Sequence, residues 1–173
     1  MISRRRFFQS LACAAALLPF RSAFATTEDR RHLSMLNTHT GEELAIDYCE
    51  CGLYRREALE EINHFLRCHF TNEVKPIDVG VLDLLSALQT AIRRPEPARI
   101  ISGYRSPAYN DRLRREGRGV AERSLHMEGL AIDFAMLGVD TADLARLAKS
   151  FQAGGVGLYP GFVHIDTGRV RHW

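Results

Sequence analysis

The 173-residue sequence has one tryptophan, four cysteines and no large excess of either charge, with 23 lysines and arginines against 21 aspartates and glutamates. Each shortage excludes something. The near-neutral balance leaves no basic footprint for a nucleic acid. Beyond the first 25 residues, no stretch approaches the roughly 20 apolar residues that a membrane span needs. There is no internal repeat, low-complexity tract or linker, and a chain of this length supplies one hydrophobic core but not two independent ones. Past those 25 residues only Cys49, Cys51 and Cys68 remain, and a single Cys-x-Cys lacks the second pair of a structural zinc site. These thiols are expected to be buried, or to form one bridge with one left over.

Acidic residues are also missing from positions 1–25. There Arg4, Arg5 and Arg6 precede an apolar run from Leu11 to Phe20, and Ala23-Phe24-Ala25 supplies a small-x-small cleavage site. Residues 1–25 therefore read as a cleaved export signal. The order Ser3-Arg4-Arg5-Arg6-Phe7-Phe8 resembles the twin-arginine type, which carries folded proteins across the bacterial inner membrane; an ordinary secretory leader is the alternative. Four of the 23 basic residues lie in that leader, so 19 remain against 21 acidic ones. The domain at 26–173 is expected to be soluble, slightly acidic and periplasmic.

Within that domain, hydrophobic periodicity predicts an α+β arrangement. Two short alternating segments between Leu33 and Tyr48 form a hairpin. Leu59, Ile62, Leu66 and Phe70 mark a helix over Arg55 to Phe70, and Asp78 caps a second that bears Val81, Leu84, Leu85, Leu88 and Ile92. Pro95 and Pro97 stop that helix, Arg99 to Ser102 is a strand, and Ser106-Pro107 opens a short helix that runs to Glu116. After a polar loop over 117–124 come a strand over Leu130 to Met136, a helix started at Asp140 or Thr141, a strand over Val156 to Tyr159 and a final strand over Phe162 to Thr167. Helices packed against one mostly antiparallel sheet satisfy that order.

The chemistry concentrates in two segments, Ser124 to Asp133 and Phe162 to Asp166. Alternation along a strand puts Ala131, Asp133 and Ala135 on one face with Ile132 and Phe134 on the other, so small residues flank the acid while large ones enter the core. The same alternation puts His164 and Asp166 together, opposite Val163 and Ile165. Histidine nitrogen and carboxylate oxygen suit a catalytic zinc with three protein ligands and an open fourth position.

These segments, together with Ile101-Ser102-Gly103-Tyr104-Arg105-Ser106, Gly154-Gly155-Val156-Gly157 and the terminal Arg171-His172-Trp173, resemble a superfamily of zinc peptidases. It comprises D-Ala-D-Ala carboxypeptidases with lysostaphin and hedgehog relatives, and the likeness is to its murein endopeptidases, from about Leu33 to Trp173. The resemblance implies that His126, Asp133 and His164 hold one Zn2+, that Arg105 and Tyr104 face the substrate, and that the substrate is peptidoglycan, cut at its peptide cross-links. A carboxypeptidase trimming terminal D-alanine, and a non-catalytic zinc domain binding wall peptides, are the alternatives.

The sequence departs from the family where a general base is expected: the Asp or Glu that the better-known carboxypeptidases have three residues before the last ligand is Gly161, and the histidine that lysostaphin-like relatives have two residues before it is Phe162. Asp166 shares a face with His164, so it is the candidate either for accepting the proton of the attacking water or for orienting the imidazole. Glu128 and His172 are further candidates for that proton. His32, His39, His64 and His69 have no partner at ligand spacing.

Overall fold

The computed structural model describes residues 30–173; the leader read at 1–25 lies outside the described residues. The elements, in chain order, are β1 (Arg31–Asn37), β2 (Glu43–Glu50), β3 (Leu53–Tyr54), α1 (Arg56–Phe65), α2 (Val79–Ile92), β4 (Ala98–Ser102), α3 (Pro107–Arg115), a 3₁₀ turn (Leu125–Glu128), β5 (Ala131–Met136), α4 (Thr141–Ser150), β6 (Gly155–Tyr159), β7 (Phe162–Asp166) and β8 (Arg171–His172). The strands form one sheet in the order β3-β2-β1-β4-β5-β7-β6-β8. Only β1 with β4 and β6 with β8 pair in parallel, so the expected α+β class with a mostly antiparallel sheet is what the chain adopts. No helix among the described residues is long and apolar enough to cross a membrane.

Local chemistry explains where the helices begin. The Asp78 carboxylate accepts from the Gly80 amide at 3.0 Å, the Ser106 hydroxyl from Tyr109 at 3.2 Å, and Asp140 from Ala142 and Asp143 at 2.8 and 3.3 Å. Each cap satisfies amide groups that the first turn leaves without a helical partner. The core joins one face of the sheet to these helices, through Leu33, Met35, Ile100, Ile132, Phe134, Val163 and Ile165 from the strands and Ile62, Leu82, Leu85, Leu88 and Leu144 from the helices.

Two expectations need correction. Helix α1 ends at Phe65, not Phe70: the chain turns at Leu66, where the Cys68 amide donates to Glu73 and the Asn72 amide to Cys68, and Asn72 takes a left-handed φ of 59°. Phe70 is therefore 45 % exposed rather than in the core, and His69 lies beyond the helix. The strand over 162–166 is not the last, because β8 adds itself to β6, and β3 likewise extends the opposite edge. Cys49 and Cys68 are buried and Cys51 is exposed.

Candidate metal centre and cleft

Register places the site. Asp133 on β5 stands directly opposite His164 on β7, with Ser102 of β4 beside Asp133 and Gly157 of β6 beside His164. These four positions form a row across the middle of the sheet, on the face away from Ile132 and Phe134. One row further along, Asp166 stands opposite Ala131. Glycine is required in both rows. A Cβ on Gly157 would lie 2.7 Å from the Trp173 indole, and one on Gly155 would lie 2.4 Å from the Asp166 carboxylate and 2.5 Å from the Arg171 guanidinium.

His126 arrives from the 3₁₀ turn. Its Nδ1 lies 2.8 Å from the Gly103 carbonyl oxygen, an acceptor only, so Nδ1 carries the proton and Nε2 presents a lone pair. His164 is fixed from its other side: Nε2 lies 3.0 Å from the Asp166 carboxylate, which leaves Nδ1 as the free donor atom. His126 Nε2, His164 Nδ1 and Asp133 Oδ1 then converge, separated by 3.2, 2.8 and 3.2 Å. All three residues are buried.

This donor set fits a tetrahedral cation. Ligand atoms about 2.0–2.1 Å from one such ion stand about 3.3 Å apart, close to the spacing here. Among the described residues, no other group of three histidine, cysteine or acidic side chains draws its ligand atoms together in this way. Burial alone would disfavour the charged His164 ring, but its hydrogen bonds to Asp133 and Asp166 outweigh that and raise its pKa. Burial would raise Asp133 too, yet the adjacent His126 and His164 hold its carboxyl well below the usual range.

Asp166 faces away from that point. It is fully buried, and its oxygens accept from five donors: His164 Nε2, the Gly155 and Gly168 amides at 3.0 and 2.8 Å, and both terminal nitrogens of Arg171 at 3.1 and 2.8 Å. Despite burial, these bonds keep its carboxyl far below the ordinary range, so it is an anion.

Above the row opens a cleft of about 650 Å³, lined by His126, Asp133 and His164, by Arg105, by residues 118–121 and 123–125 of the preceding loop, and by Tyr159, Phe162, Arg171 and Trp173. Arg105 is buried, and its polar contacts are loose: 3.5 Å to Asn110, 3.4 Å to Ser102 and 3.5 Å to Asp133 Oδ2, with Nε lacking any partner. Burial lowers the guanidinium pKa while Asp133 holds it up. Its backbone amide donates to the His126 carbonyl, tying it to the ligand turn. The lining also includes an aromatic wall, where Phe162 stacks on Tyr159 with ring centres 4.8 Å apart and the Trp173 indole donates to the Tyr159 hydroxyl at 2.8 Å.

The structure thus brings His126, Asp133, His164, Asp166 and Arg105 together. Tyr104 stands apart: its ring lies beside Lys75, 5.9 Å away, and it does not line the cleft. Glu128 and His172 are exposed and also lie outside the lining. Among the described residues Asp133 is the only carboxylate in that lining, so none of them fills from elsewhere on the cleft surface the place left without a base at Gly161 and Phe162. Sequence reasoning missed Arg171, Asn110 and Trp173; Arg171 follows Asp166 by five residues in a motif already singled out, a usable signal.

A convergent His-Asp-His set at the floor of a cleft, with a buried arginine beside it, is the arrangement of a metal-dependent hydrolase. A family profile described as peptidoglycan L,D-endopeptidase MepK matches residues 25–173, and the chain belongs to that family. The peptidoglycan L,D-endopeptidases MepK of Escherichia coli K12 and of Shigella flexneri are each 44 % identical over 167 residues, covering 94 % of this chain and 91 % of the relative. The Haemophilus influenzae protein named "Probable peptidoglycan L,D-endopeptidase MepK" is 36 % identical over 154 residues, covering 87 % and 83 %.

Proposed function

We infer that this chain is a zinc-dependent L,D-endopeptidase that hydrolyses peptide cross-links of peptidoglycan, and the observation that carries this is the His126, Asp133, His164 cradle in a member of the MepK family. The metal, when bound, polarises the scissile carbonyl and activates a water. The chain's own residues do the rest. His126 and His164 turn their lone pairs inward because Gly103 and Asp166 hold their other nitrogens. Arg105 supplies loosely held N–H groups to the amide oxygen as negative charge develops there, at a buried position where such a contact is strong. Of the two roles open to Asp166, the orienting one is supported: its oxygens are occupied and turned to the far side of the His164 ring. Tyr104 is assigned to packing and substrate contact to Arg105. Residues 1–25 act as the export signal, of twin-arginine type, which delivers the domain to the periplasm.

Digestion of purified sacculi tests this reading. The zinc-loaded protein should release cross-linked stems as monomers, chelation should stop it, and zinc should restore it. His126→Ala and Asp133→Ala should retain no zinc and cleave nothing. Shortened monomers with cross-links intact would make the protein a carboxypeptidase; unchanged muropeptides would make it a binding domain.

A further inference from the structure

The loop between α3 and the 3₁₀ turn brings two arginines to the cleft that the hydrolytic machinery does not use. Arg118 and Arg123 line the cleft, and both are exposed. Arg123 has no hydrogen-bond or ion-pair partner among the described residues, and Arg118 has only Glu116, at 4.0 Å. Glu122, between them in sequence, turns instead toward Arg114, 3.8 Å away. The other cleft charges are accounted for: Arg171 is paired with Asp166, and Asp133 belongs to the metal cradle beside Arg105. The cleft lining therefore carries one positive charge with no internal partner, Arg123, and one held only loosely, Arg118, and in a cleft that also has apolar lining such charges draw in anions.

The loop is also held in place. Asn110 on α3 is 1 % exposed; its amide nitrogen donates to the carbonyls of Ala121 and Glu122 at 3.1 and 3.4 Å, and its oxygen lies 3.5 Å from Arg105 NH1. A single buried side chain thus links the loop to the guanidinium beside the metal cradle. Guanidinium groups bind carboxylates through paired N–H groups.

The geometry points to the 118–123 loop as the substrate-selecting arm, in which Arg118 and Arg123 bind a free carboxylate that flanks the scissile amide of the stem peptide. This deepens the endopeptidase reading and rests on it. The preferred substrate is a cross-linked peptide with an ionised carboxyl next to the cut bond, and the same peptide carboxamidated there is a poor one.

The test uses the zinc-loaded protein on one cross-linked muropeptide dimer in two forms, with the flanking carboxyls free or carboxamidated. Wild type should cut both, with KM about tenfold higher for the carboxamide. Arg118→Ala/Arg123→Ala should raise KM about tenfold on the free-carboxyl dimer, leave kcat within about twofold, and leave the carboxamide kinetics unchanged. Arg118→Lys/Arg123→Lys should recover part of the loss, since charge is kept. No KM change on the free-carboxyl dimer, or equal losses on both dimers, overturns the selecting arm while hydrolysis stands. Failure of the wild type to cut either dimer overturns the endopeptidase reading and this inference with it.

Discussion

Replacing Asp166 with asparagine separates the two roles that the sequence leaves open, and its outcome can be worked from the contacts. Five donors converge on the two carboxylate oxygens. Asparagine has one oxygen, so in either orientation its NH₂ meets donors that it cannot serve. Turned toward His164, it demands that the ring give up the Nε2 proton and carry one on Nδ1, the atom aimed at Asp133. Turned the other way, it strands the amides of Gly155 and Gly168. In both cases the Arg171 charge loses its counter-ion. The Arg171 side chain is 33 % exposed, so water screens the charge left behind, and the cost is mainly that of the unserved buried donors, about 1–3 kcal/mol, which for a domain of this size lowers the melting temperature by about 5 °C. Loss of an outer partner of a ligating histidine lowers metal affinity about 10- to 100-fold. Zinc competition against a chromogenic chelator should show that weakening, while turnover at saturating zinc stays within about tenfold of wild type. Unchanged zinc affinity with turnover lower by about 10²- to 10⁴-fold would refute the orienting role and make Asp166 the proton acceptor. Full affinity with full turnover would remove it from the site.

Arg105→Lys should lower kcat/KM about 10²- to 10³-fold with zinc content unchanged, because an ammonium cannot reproduce the planar set of donors; metal analysis beside steady-state kinetics checks both halves. The third prediction concerns pH. Burial, with the positive charges of His39 and Arg105 nearby, pushes His69 down to about 4. A histidine held neutral by the fold binds its proton more readily when unfolded, so stability is complete above about pH 6.5 and falls as the pH drops toward 4. Partial solvent screening limits the loss to about 1–2 kcal/mol. Urea melts between pH 7 and pH 4 should show a shallower decline for His69→Gln than for wild type; parallel curves would contradict the assignment.

Much of the fold is visible in the residues because local chemistry fixes it. The Asp78, Ser106 and Asp140 caps mark helix starts through side chain–amide bonds that span two or three residues. The period-two pattern at 131–136 and 162–166 shows which face carries Asp133 and His164, although only the sheet register puts them opposite each other. What the sequence hides depends on non-local contacts. Strands β3 and β8 are two residues long and too short for any periodicity, and they exist because a neighbouring edge offers them partners. The end of α1 is set by a turn around Cys68 and Glu73 that an apolar residue at position 70 masks. Arg171 has no visible role until β8 lies along β6 and brings it onto Asp166. Asn110 reads as an ordinary helix residue, since its bonds run to a loop 11 and 12 residues later.

Phe162, two residues before His164 and next to Gly161, has a structural use. Phe162 stacks on Tyr159 across the β6–β7 hairpin, in direct register with it, and Trp173 buttresses the Tyr159 hydroxyl. Trp173 is held by two backbone bonds to β6, Trp173 N to Val156 O and Leu158 N to Trp173 O, and lies with its ring centre 5.3 Å from that of His164. A small or polar side chain at position 162 would break this stack. The aromatic wall lowers the local dielectric beside the cradle, which under the proposed function strengthens the attraction of Arg105 for charge developing on the amide oxygen. The site therefore concentrates its electrostatics on one buried cation and one metal cradle. Its supporting carboxylate, Asp166, stays behind the His164 ring, where Arg171 neutralises it and its contact with Nε2 fits the proposed orienting role.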